Sequence, residues 1–88
     1  MDRAVSSTGG TLAAARAVCA PNGPRFSGQV AGGTHHAFYD SGEGFCVFSD
    51  IAVAANCVLR EQGNWLRRIL VVDLDVHQGN GNAVLFKV

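Results

Sequence analysis

An α/β fold is what these 88 residues predict: one piece of a three-layer α/β/α parallel sheet, with about two strands and two to three helices. Three stretches carry that expectation. "RRILVVDLD" (67–75) is short, β-branched and continuously apolar before its acids, as a central parallel strand covered on both faces would be. "DIAVAANCVLREQG" (50–63) repeats its apolar residues at helical spacing. "QVAGG" (29–33) is a short strand candidate that ends in a glycine turn. Strand, helix and strand in that order give one right-handed crossover over roughly residues 29–75.

The elements follow in chain order. "TLAAARAVCA" (11–20) is alanine-rich, sets Leu12, Ala15 and Cys19 on one side, and stops before Pro21 and Gly23, so a helix is expected. "PNGPRFSG" (21–28) is a loop by its proline, glycine and asparagine content. In the 50–63 helix, Asp50 offers the N-cap and Gly63 the stop, with Ile51, Ala54, Ala55, Val58 and Leu59 on one face. Two strands and two helices do not close a doubly wound sheet, and the sequence stops inside the apolar run "NAVLFKV". Residues 1–88 are therefore expected to be one partial domain lacking its C-terminal part.

Composition narrows the function classes. Hydrophobic residues make up 48% of the chain and charged ones 16%, a balance that folds rather than stays disordered. Seven basic and seven acidic side chains cancel with no run of like charge, so neither nucleic acid nor an anionic membrane is an expected partner. The three cysteines, Cys19, Cys46 and Cys57, are odd in number and lack CxxC spacing, which points to reduced thiols. Arg16 interrupts the only leader-like opening, and no apolar run approaches the roughly 20 residues of a membrane span. A cytoplasmic location is expected, or a nuclear one in a eukaryote.

The chemistry concentrates in "DLDVH". On a strand, Asp73, Asp75 and His77 share one face while Val72, Leu74 and Val76 take the other. Ionised carboxylates at the end of a buried strand are costly without compensation, and a divalent cation such as zinc suits oxygen and nitrogen donors together. The alternative is that the acids cap the next helix or bond loop amides. "GGTHHAFYDSGEGFC" favours the metal, because His35 and His36 follow a strand-ending glycine turn. The crossover would bring them to the carboxyl edge of the sheet, where open α/β folds place their sites.

"GGTHHAFYDSGEGFCVFSDIAVAA" followed by "RRILVVDLDVHQGNGNAVLF" resembles the histone deacetylase family of the arginase and deacetylase fold, nearest to its class IV and bacterial members. The resemblance covers about residues 29–86 and implies a zinc-dependent hydrolase of acetylated lysine or other acetylated amines. It implies that Asp75 and His77 ligate zinc, with a third ligand absent from this chain. His36 would be the general base and His35 its electrostatic partner. Asp73 would bond His35 and help hold a monovalent cation such as potassium. Asn80 stands beside His36 where many relatives place an aspartate, an oxygen without charge. Gly44 would meet the substrate amide and Phe45 would wall the acyl-lysine channel, although Phe45 also suits an ordinary core. The family's oxyanion-stabilising tyrosine is expected downstream of this chain, so the chain alone is expected to be inactive.

Two readings from other classes compete. "GNGNA" after a strand suggests a nucleotide-binding α/β piece, but it lacks the third glycine and the acidic residue downstream. A non-catalytic interaction fragment could keep the same motifs for folding alone.

Overall fold

A computed structural model of the chain describes residues 2–38, 40–42 and 46–86. Three helices order them: α1 (Asp2–Cys19), α2 (Asp50–Glu61) and α3 (Asn80–Leu85). α1 packs against α2, and α2 touches α3.

α2 is the centre of the packing because its sequence is amphipathic. Ala52, Ala54, Ala55 and Val58 are buried, and Ile51 and Leu59 half-buried, so small side chains set the approach to the neighbouring elements. Its cap is Ser49 and not Asp50. The Ser49 hydroxyl accepts the Ala52 N–H at 3.4 Å, which releases the Asp50 carboxylate, one residue into the helix, for other partners. The helix ends at Glu61, short of Gly63, where the Gln62 N–H donates to the Val58 carbonyl.

α1 begins well before Thr11, running through Gly9 and Gly10. Glycine lowers intrinsic helicity, but packing on α2 outweighs that local preference. The Gln29 carboxamide lies close over Gly10, donating to the Ser7 carbonyl at 2.5 Å and to the Thr11 hydroxyl at 2.8 Å. Arg16 and Glu61 join the far ends of α1 and α2 in an ion pair of 2.5 Å, with both side chains solvated enough that the pair contributes little.

The expected strands are not formed among the described residues. Residues 29–33 and 67–75 are irregular, and no ladder joins them. The reason is that a parallel strand exists only through hydrogen bonds to neighbours, and these two segments do not supply one another. Leu70 and Leu74 are 86% and 92% exposed. The apolar run reads as sheet interior yet lies uncovered.

α3 is short and docks through polar groups. Gly81 and Asn82 are its buried residues. The Ser49 hydroxyl donates to Asn82 Oδ1 at 2.9 Å, tying the start of α3 to the cap of α2. Asn82 Nδ2 is buried without a hydrogen-bond partner among the described residues, a cost of about 1–3 kcal/mol.

Val58 is 3% exposed and Val53 38% exposed on the same helix. Val58→Ala is therefore expected to destabilise the fold by about 2 kcal/mol through lost burial and the cavity left behind. Val53→Ala should stay within about 0.5 kcal/mol of the parent chain; denaturant midpoints of both variants check the contrast.

Candidate functional site

The site is assembled by two loops and the start of α3. Gly32 and Gly33 both adopt positive φ, +104° and +73°, closing the turn that delivers Thr34, His35 and His36. From the other side, the chain bends at residues 75–77 and enters α3 at Asn80. The two meet where the Gly81 N–H donates to the His35 carbonyl at 2.8 Å. A Cβ on Gly81 would stand 2.7 Å from that carbonyl oxygen, so only glycine permits the approach.

Asp73 and Asp75 converge by bends and not by the pleat of a strand. The Asp75 N–H donates to Asp73 Oδ1 at 2.9 Å, and the His77 N–H donates to Asp75 Oδ2 at 2.6 Å. These two-residue loops turn the backbone as aspartate side chains do in turns. The expectation that the acids bond loop amides thus describes their backbone partners, while Asp73 Oδ2 and Asp75 Oδ2 also face imidazoles.

His35 is buried, with its Nδ1 2.5 Å from Asp73 Oδ2 and its Nε2 3.8 Å from Asp75 Oδ2. An ionised carboxylate only accepts, so the His35 proton lies on Nδ1. His36 Nδ1 lies 2.6 Å from Asn80 Oδ1. The Gly81 N–H donates to the same oxygen at 3.0 Å, which fixes that atom as the acceptor and puts the His36 proton on Nδ1. Both imidazoles then present an unprotonated Nε2 in their neutral form. The His35 and His36 ring centroids are 4.2 Å apart, and His77 stands 6.2 Å from His36, edge to face.

The hydrogen bond from His35 holds the Asp73 carboxyl below the usual carboxylate range, and the Asp75 N–H adds to it. The His77 N–H does the same for Asp75, with His77 Nδ1 adding to it. Both acids are therefore ionised at neutral pH. Gly44 and Phe45 lie outside the described residues.

The donor set partly fits a zinc ion. Asp75 Oδ2 and His77 Nδ1 are 3.1 Å apart, near the about 3.3 Å that separates two tetrahedral ligands each about 2.0–2.1 Å from zinc. Among the described residues no group of three histidine, cysteine or acidic side chains converges on one point. Asp75 and His77 are thus a candidate pair of ligands, where a catalytic zinc uses three from the protein.

Asp50 is the functional candidate that sequence reading assigned elsewhere. The sequence predicts it as the cap of α2, yet Asp50 is 2% exposed and its carboxylate faces the turn before the histidines. The signal was the preceding serine, itself a strong cap, which leaves the neighbouring acid free.

Burial acts to raise the Asp50 pKa. Hydrogen bonds from Thr11, Gly33 and Thr34 outweigh it and leave the carboxyl below its ordinary value. A depressed native value stabilises the fold above the unfolded value of about 3.9 and loses that contribution as pH falls through the lower native value. Asp50→Asn should therefore be destabilised by a constant margin of about 2–3 kcal/mol between pH 5 and 7, closing below about pH 4. Chemical denaturation across that range checks it.

Comparison with known proteins bears on the whole chain. The family profile described as "Histone deacetylase domain" matches residues 1–88. An uncharacterized protein of Picosynechococcus sp. is 41% identical over 99% of this chain and 27% of its own length. A protein described as a probable deacetylase of Methanothermobacter thermautotrophicus is 40% identical over 91% of this chain and 23% of its own length. A histone deacetylase of Candida albicans is 40% identical over 91% of this chain and 10% of its own length. The chain thus spans about a quarter or less of these relatives. No solved structure matches it significantly.

Proposed function

The chain belongs to the histone deacetylase family, and from that premise we propose that it carries the histidine and D-x-D-x-H portion of a zinc-dependent deacetylase site for acetylated lysine or other acetylated amines. The observation that carries this reading is the His36 arrangement. Its Nδ1 proton is directed to Asn80, so Nε2 is left as a base, with the His77 ring 6.2 Å from that of His36.

In this reading Asp75 and His77 hold zinc, which when bound polarises a substrate carbonyl and acidifies a water. His36 takes the water proton at Nε2, and the Asn80 oxygen keeps the ring in the orientation and tautomer for that step. Asn80 carries no charge, so it steadies the imidazolium less than an aspartate would. His35, with Asp73 behind it, supplies a second polarised imidazole beside the reacting oxygen. Gly44 receives the substrate amide, and Phe45 walls the alkyl chain. Asp73 would also help hold a monovalent cation such as potassium. Residues 29–33 and 67–75 serve as strands of the family's parallel sheet, which would cover the exposed apolar run. The setting is intracellular, with reduced cysteines.

Thermal denaturation with added ligands tests the reading. Zinc is expected to raise the melting temperature, and Asp75→Ala to weaken zinc binding about tenfold or more by calorimetry. Stabilisation by a nucleotide and none by zinc would instead favour the "GNGNA" stretch as a nucleotide site.

Assayed alone on an acetyl-lysine peptide, the zinc-loaded 88-residue chain is expected to turn over near background. Its described residues give zinc two protein ligands where a catalytic site uses three. Turnover well above background that His36→Ala abolishes would show that association between copies completes the site.

A further inference from the structure

The most heavily bonded buried side chain in the described structure is not one of the histidines or the D-x-D-x-H acids. It is Asp50, and its partners all belong to the segment that delivers the histidines or to the helix behind it. Oδ2 accepts the Gly33 N–H at 2.9 Å and the Thr11 hydroxyl at 2.6 Å. Oδ1 accepts the Thr34 N–H at 2.9 Å, with the Thr34 hydroxyl 2.8 Å away. The Thr34 hydroxyl in turn accepts the Asp50 N–H at 3.1 Å and lies against the Phe48 carbonyl. Thr11 also accepts from Gln29, so α1, the start of α2 and the glycine turn meet on one carboxylate.

We infer that Asp50 is the positioning residue for the tandem histidines: it fixes the Gly32–Thr34 turn so that His35 and His36 face Asp73 and Asn80. The geometry leaves little slack. A Cβ at Gly32 would stand 2.5 Å from Asp50 Oδ2, and φ at Gly32 is +104°, so the turn closes tightly on the carboxylate. One residue beyond Thr34, the His35 ring is held by Asp73 and its carbonyl by Gly81. A carboxylate is required because both oxygens must accept from backbone N–H groups. Asparagine would turn an N–H₂ toward one of them. Such charge-assisted bonds are short and strong, and losing an acceptor leaves buried amide donors unpaired.

The role as positioning residue rests on the reading of His36 as a base, but its test needs neither zinc nor turnover, so failure of one is distinguishable from failure of the other. The experiment is nitrogen-15 NMR of the imidazoles in the labelled full chain at neutral pH, with amide exchange measured alongside. In the parent chain the His36 ring nitrogens should show the Nδ1-protonated tautomer. In Asp50→Asn that signature should collapse toward the average of the two tautomers, and exchange at Gly33 and Thr34 should quicken at least about tenfold. The α2 amides from Ala55 onward should keep their shifts. Should Asp50→Asn fail to fold, Thr34→Val decides, because it removes only the hydroxyl. It should weaken the tautomer signature, and Thr34→Ser should restore it. Retention of the His36 signature in a folded Asp50→Asn chain overturns the proposal, as does an unchanged signature in Thr34→Val.

Discussion

The carboxylate of Asp50 is the point on which the described structure turns. A buried charge is tolerated only when its acceptor capacity is filled, and here the filling groups come from Thr11 of α1 and from Gly33 and Thr34 of the glycine turn. The carboxylate also lies in the first turn of α2, where the helix dipole favours negative charge. Local sequence makes α2, α2 places Asp50, and Asp50 holds the turn. The histidines follow from the turn by chain connectivity.

The second half of the site is built differently. Asp73 uses one oxygen to bend its own backbone and the other to meet His35, while Asp75 Oδ2 both accepts the His77 N–H and stands beside the His77 ring. Two of the histidines have an oxygen partner that sets where the proton lies, Asp73 for His35 and Asn80 for His36, while Asp75 Oδ2 stands 3.1 Å from His77 Nδ1. An array in which every imidazole is oriented suits proton transfer and metal ligation, because neither function tolerates a freely rotating ring. The close approach of α3, permitted by Gly81, joins the halves.

Much of this was legible in the sequence where periodicity or spacing carried it. The helical repeat of residues 50–63 foretold α2, and the tandem histidines with D-x-D-x-H foretold which side chains meet. The Gly9–Gly10 pair hid the first turns of α1, because helix propensity is a local measure and α1 is held by its packing on α2. The strand at 67–75 was inferred from apolar continuity, which reports what a segment is suited to bury. The ladder itself needs partners that these segments do not give one another. Asp50 was misplaced by one position in the cap, and that single step separates a helix-capping role from contact with the histidine turn. Asn82, paired through its oxygen to Ser49 among the described residues, carries no sequence signal.

The proposed metal site uses the oxygen and nitrogen donors of Asp75 and His77, and not the thiols. Zinc-edge X-ray absorption on the zinc-loaded chain tests it most directly. The account predicts a first shell of oxygen and nitrogen at about 2.0–2.2 Å that includes imidazole scattering, lost in His77→Ala. A sulfur shell at about 2.3 Å, unchanged by His77→Ala, would contradict it.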